Sequence, residues 1–168
     1  MSTGRKAAPR KVAVFLWFDG QAEEAATFYA ATFPESRVER IVRAPEGIPN
    51  MAAGAVQLVE MTLCGLPYAL LNGGPQVAPN DAYSLQVCTE DQAETDRLWQ
   101  AIVGNGGAAI MCGWCRDRWG YRWQITPRVL MDALADPDRA AAARAMAAMM
   151  EMDRIDIAAI EAARHGHP

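Results

Sequence analysis

Histidine is almost missing from this chain: only His165 and His167 occur, both at the C-terminal end. A folded body without imidazole has no histidine general base and no Ser-His-Asp triad. It also has few of the usual ligand sets for a single zinc ion. Positive charge is not in excess, with 16 Lys and Arg against 20 Asp and Glu and a formal net charge of −4. There is no basic stripe, so nucleic acid is not an expected partner. No apolar run approaches the length of a membrane span, and no membrane partner is expected. Residues 1–10 are basic but lack the apolar centre of a signal peptide. They are expected to be a disordered lead-in, and the protein cytoplasmic. Also lacking is a glycine-rich strand-to-helix turn with an acid downstream, which a doubly wound nucleotide-binding fold would need. Cysteine is sparse. With no secretion signal, Cys64, Cys88, Cys112 and Cys115 are expected to be free thiols.

What is present suits a soluble globular body. Half of the 168 residues are apolar and about a fifth charged, enough for one domain or two small modules fused into one core. Residues 11–18 (KVAVFLWF) are apolar at both parities and predict a strand buried on both faces. Residues 21–33 predict a helix with Ala22, Ala25, Ala26, Tyr29 and Phe33 on one face. Asp19 or Gly20 is its expected cap and Pro34 its stop. A strand over 36–43 follows, then a loop over 44–54 that can act as a lid. Strands over 55–63 and 67–71 are joined at Cys64-Gly65-Leu66. After a loop over 72–81, residues 83–88 predict a strand, with a capping box at Thr89-x-x-Gln92. The next helix, 91–103, sets Thr95, Leu98, Trp99 and Ile102 on one face. Strands over 108–115 and 121–126 flank a turn at 117–120. Helices fill the rest, with Asp136-Pro137-Asp138 opening one and Asp153 capping another. Their Ala and Met suit close packing on the sheet or a subunit contact.

A weak repeat organises these elements. Gln21-Ala22-Glu23 recurs as Gln92-Ala93-Glu94, and the same spacing sets Leu16 against Val87 and Phe28 against Trp99. The expected fold is α+β, with duplicated βαβββ modules forming a curved eight-stranded mixed sheet. Helices cover the convex face and the concave face makes a cup. Module one is 11–75 and module two 81–127, together a domain over 11–127. A C-terminal helical extension occupies 128–168.

Several side chains are candidates for the cup. The most conspicuous stretch is Cys112-Gly113-Trp114-Cys115, but a thioredoxin-like site needs its first cysteine at a helix N-terminus. Here the run leads into a strand, where residues three apart point to opposite faces. Buried strand cysteines are the expected outcome. Glu60 interrupts an apolar strand. It either faces the cup as a general base or orienting group, or turns to solvent. Arg122 and Gln124 share one parity, Trp123 and Ile125 the other. Arg122 suits an anionic ligand group. Trp17 and Trp114 either line the cup for an apolar ligand or belong to the core. Asn72, with Gly73-Gly74, is either a rim amide or a strand end. Gln86 completes the expected ligand set.

Specific strings carry a family resemblance. They are Phe15-Leu16-Trp17-Phe18-Asp19-Gly20-x-Ala22-Glu23-Glu24-Ala25, Phe28-Tyr29, Phe33-Pro34-Glu35-Ser36, Leu71-Asn72-Gly73-Gly74-Pro75, Cys112-Gly113-Trp114, Trp119-Gly120-x-x-Trp123-Gln124-Ile125-x-Pro127 and Ile155-Asp156-Ile157. From about residue 12 to about 163 the chain resembles the PhnB-like proteins of the vicinal-oxygen-chelate superfamily. That branch is often described as 3-demethylubiquinone-9 3-methyltransferase. The resemblance implies a glyoxalase-like cup and, in most of the superfamily, a divalent metal that polarises adjacent oxygens. The implied ligand positions fall near Lys11, near Asn72, near Ala82 or Ser84, and at Gln124. Only Gln124 can ligate, so a divalent metal is disfavoured and no cofactor is expected. The resulting expectation is a metal-free protein that binds a small organic ligand; if it turns a substrate over, Glu60 is the expected acid–base group. The alternatives are a metal-dependent lyase, isomerase or dioxygenase, and a non-catalytic protein that sequesters its ligand. A homodimer is implied by relatives that pair their sheets across subunits.

Overall fold

The computed structural model describes residues 11–166. The lead-in over 1–10 and His167 lie outside the described residues. The chain divides after Ala78 into two compact units, each taken by itself here.

The first unit holds β1 (Val14–Phe18), α1 (Ala22–Thr32), β2 (Arg37–Arg43), β3 (Val56–Leu63) and β4 (Leu66–Asn72). Its sheet order is β1-β4-β3-β2, with β1 parallel to β4 and the other neighbours antiparallel. Fully buried Ala22, Ala25, Ala26 and Tyr29 lay α1 on one sheet face, the small residues allowing close approach. That face carries Leu16, Phe18, Val59, Met61, Leu63, Tyr68 and Leu70. The opposite parity of β1 is not buried: Phe15 is 63% exposed. The expectation of a strand buried on both faces is corrected here, because the helix covers only one. Cys64 (φ 47°) and Gly65 (φ 76°) make a two-residue turn with both residues left-handed, the type that matches strand twist.

The second unit repeats the plan. β5 (Ser84–Thr89), α2 (Gln92–Val103), β6 (Ala108–Ala109), β7 (Trp114–Arg116) and β8 (Arg122–Pro127) follow in order. The sheet order is β5-β8-β7-β6, again with the first and last strands parallel. The duplicated βαβββ pattern and the α+β class are as the sequence predicts, and strand pairing among the described residues runs within each unit. Thr95, Leu98, Trp99 and Ile102 are the buried face of α2, as expected.

The caps differ in frame. Asp91, not Thr89, caps α2, accepting from the Glu94 N–H at 2.8 Å, and the Glu94 carboxylate accepts from the Glu90 N–H at 2.9 Å. The strand expected over 108–115 is two short strands. Between them Cys112 (φ 56°) and Gly113 (φ 81°) turn left-handed. A Cβ on Gly113 would lie 3.0 Å from both the Ile125 carbonyl oxygen and Ile155 Cγ1, so glycine is required. The N–H groups of Cys112 and Gly113 donate to the carbonyls of Met152 (2.6 Å) and Asp153 (2.7 Å).

That clip ties the C-terminal helices to the second unit. They are α3 (Arg128–Leu134), α4 (Arg139–Met150) and α5 (Ile157–His165). Leu130, Ala133, Ala145, Ile155 and Ile160 form their core. Asp138 caps α4 and Asp156 caps α5, where Asp136 and Asp153 were expected. Asp136 instead accepts from the Asp138 N–H at 2.8 Å and pairs with Arg164 at 2.6 Å. These two contacts hold its carboxyl below the usual range. Among the described residues no helix is long and apolar enough to cross a membrane.

Candidate functional site

The second sheet has one face buried beneath α2; the other is partly open, with Thr126 buried and Cys88 Sγ 3.4 Å from Met131 of α3 at one edge. Leu85, Val87, Cys115, Trp123 and Ile125 are buried on the α2 side. Strand alternation sends Ser84, Gln86, Cys88, Trp114, Arg116, Arg122, Gln124 and Thr126 to the other. Register makes this a connected patch. Gln124 is opposite both Gln86 and Trp114, and Arg122 opposite both Ser84 and Arg116. Gln86, Trp114, Arg122 and Gln124, all expected ligand-binding residues, therefore share a face. Gln124 Nε2 donates to Ser84 Oγ at 2.8 Å and Gln86 Nε2 to Thr126 Oγ1 at 3.3 Å, which orients both carboxamides. Arg122 donates to the Gly120 carbonyl at 2.7 Å and pairs with Asp81.

The other expected residues lie on the first sheet. Trp17 is on the helix-free side, opposite Leu71. Its Nε1 donates to the Gly74 carbonyl at 2.7 Å, which anchors the ring over residues 73–74. Asn72 is buried at the strand end: its Oδ1 accepts from the Ala22 N–H, and its Nδ2 donates to the Val56 carbonyl, both at 2.9 Å. It thus caps α1, whose own N-cap residue, Gln21, makes no side-chain cap bond. Glu60 shares the parity of the helix-free face, and both its oxygens accept from Arg40, at 2.9 and 2.6 Å. That hydrogen bonding and charge hold the Arg40 guanidinium above its ordinary pKa.

Of the two cysteines in the C-G-W-C stretch, Cys115 is the buried strand residue expected and Cys112 is not. Cys112 sits in the bend, while Cys115 is fully buried on the α2 side. Burial first, and the Asp117 charge second, push its thiol from 9.0 up to about 12, the reverse of an activated cysteine. The raised value stabilises the fold fully below pH 9, and that contribution fades as pH rises from 9 towards 12. Urea unfolding across that window is expected to show a loss that Cys115→Ala reduces. An unaltered alkaline slope in the variant would count against it.

Sequence reasoning missed Asp117. It is 2% exposed, yet its Oδ1 accepts from the N–H groups of Trp119 and Tyr121, each at 3.0 Å. Its Oδ2 accepts from the Trp123 indole at 2.8 Å. The available signal was an aspartate opening a turn whose N–H groups two and four residues on point back at it.

The donors do not fit a divalent metal. Of the positions the resemblance implies, Ser84 and Gln124 meet, but they offer a neutral hydroxyl and a neutral amide. Hard cations call for carboxylates and transition metals for imidazole or thiolate. Among the described residues no three His, Cys, Asp or Glu side chains converge. The face carries two carboxamides, two guanidinium groups and an indole.

Residues 10–126 match the model of the family described as 3-demethylubiquinone-9 3-methyltransferase. The PhnB protein from Bacillus cereus is 30% identical, with a TM-score of 0.63, over 70% of this chain and 99% of that one. Protein PA1353 from Pseudomonas aeruginosa shares the fold, at 18% identity and a TM-score of 0.55, over 68% of this chain and 95% of its own. No curated protein matches. With a family model spanning both βαβββ units and a close structural likeness to PhnB, this chain belongs to the PhnB-type 3-demethylubiquinone-9 3-methyltransferase family.

Proposed function

We propose that the helix-free face of the second sheet binds a small organic molecule with an aromatic ring. Trp114 stacks on the ring, while Gln86 and Gln124 hydrogen-bond its polar edge and Arg122 takes negative charge there. The observation that carries this reading is the convergence of these four side chains, from three strands, on the partly open face. The likeness of the motifs to vicinal-oxygen-chelate proteins agrees with a small-molecule site, and the donor set favours a metal-free one. The family description points to an oxygenated aromatic ring. Binding is preferred over methyl transfer because each unit is a βαβββ layer rather than a doubly wound sheet. Any acid–base role of Glu60 belongs to the first sheet, where both its oxygens are paired with Arg40.

Guaiacol (2-methoxyphenol) is a suitable neutral probe. Calorimetric titration is expected to show binding that Trp114→Ala weakens by about tenfold, the scale of one lost aromatic contact. Equal affinity in wild type, Trp114→Ala and Gln124→Leu, or no binding at all, would overturn the assignment.

A further inference from the structure

Arg116 and Arg122 are direct partners across β7 and β8, so two guanidinium side chains leave the helix-free face side by side. Like charges directly opposite one another destabilise an antiparallel pair. The chain is acidic overall, with net charge −4, yet only one arginine of this couple has a carboxylate partner. Among the described residues Asp81 pairs with Arg122, and no carboxylate pairs with Arg116. The Asp81 side chain is 79% exposed, while that of Arg122 is 17% exposed. The guanidinium is thus held by the Gly120 carbonyl, and its carboxylate partner stands mostly in water. Such a partner is readily exchanged.

We propose that Arg116 and Arg122 form an anion subsite for the carboxylate of a small aromatic acid, and that Asp81 occupies the Arg122 side of it until the ligand arrives. The inference rests on the binding face proposed above and names its ligand class. Trp114 and Arg122 are diagonal neighbours on one face, about 7–8 Å apart at the backbone. That separation lets a single ring lie against Trp114 while its carboxylate reaches both arginines. The incoming carboxylate replaces Asp81 on Arg122 and gains Arg116, so the repulsion between the arginines is relieved. A planar guanidinium suits a carboxylate through two parallel hydrogen bonds.

Vanillate is the guaiacol ring with one added carboxylate, so the two probes separate the anion subsite from the face. Calorimetry is expected to show vanillate binding about tenfold tighter than guaiacol. Arg116→Gln, at an exposed position, and Arg122→Gln should each bring vanillate down towards the affinity of guaiacol. Asp81→Asn removes the internal competitor and should widen the ratio of vanillate to guaiacol affinity several-fold. If guaiacol binds with dependence on Trp114 but vanillate binds no better, the anion subsite falls and the face stands. Vanillate binding indifferent to both arginines also overturns the subsite. If neither probe binds, both readings fall together.

Discussion

Asp117→Ala is expected to remove about 2–4 kcal/mol of folding stability, the cost of leaving buried N–H donors without their acceptor. The carboxylate is 2% exposed and accepts from two backbone N–H groups and the indole of fully buried Trp123. Hydrogen bonds to a charged group contribute about 1.5–3 kcal/mol each, and buried donors left unpaired add a desolvation cost. Removing the side chain leaves the Trp123 indole N–H without its acceptor in a dry interior. It also frees the turn that joins β7 to β8, and thereby the placement of Trp114, Arg122 and Gln124. Asp117→Asn keeps an acceptor for the turn but sets an NH2 group against a donor, so a smaller loss, about 1–3 kcal/mol, is expected. Urea midpoints of the three proteins give the comparison. Equal stability of wild type and Asp117→Ala would mean that the turn is held by its strands alone.

Gly73→Ala is expected to cost about 1.5–4.5 kcal/mol: about 1–3 for overpacking and about 0.5–1.5 for a broken hydrogen bond. A Cβ at this position would lie 2.2 Å from Trp17 Cζ2 and 2.4 Å from Cε2. Neither side can easily yield. The indole is tied to the Gly74 carbonyl, and the N–H groups of Gly73 and Gly74 both donate to the Phe18 carbonyl, at 2.9 and 3.3 Å. Thermal unfolding of a double-mutant cycle with Trp17→Ala isolates the clash. The glycine substitution should be close to neutral once the ring is gone. An equal cost in both backgrounds would place the requirement in the backbone instead.

Strand parity was the most legible property of the candidate site. A period of two put Arg122 and Gln124 opposite Trp123 and Ile125, and the structure keeps that division. The repeat, and with it the two βαβββ units, was legible because each copy writes its own strand-helix pattern. Caps were misplaced wherever acids crowd together. Asp136 and Asp138, or Asp153 and Asp156, are equally good caps by chemistry, and the choice depends on where each helix packs. The buried face of β1 was overstated because an apolar strand reads alike whether one face or two are covered. The bend at Cys112 was hidden by a residue that seldom turns left-handed; its stabilising partners, the carbonyls of Met152 and Asp153, lie far along the chain. The cap that Asn72 makes was illegible for the same reason, since the helix it caps lies fifty residues earlier.

The clip between the bend and the C-terminal segment sets an order on folding during synthesis. Every strand and helix of the first unit, with the Gly74 carbonyl that anchors Trp17, has been made once Gly74 is in place, so that unit can fold while the ribosome is still working. The second unit cannot finish in the same way. Until Met152 and Asp153 emerge, the N–H groups of the bend have no partner, and until Ile155 emerges the core of α3 and α4 lacks its centre. Domains made first fold first; here the half carrying the binding face is completed last. A ribosome stalled shortly after residue 127 would hold one finished unit and one whose face is not yet set.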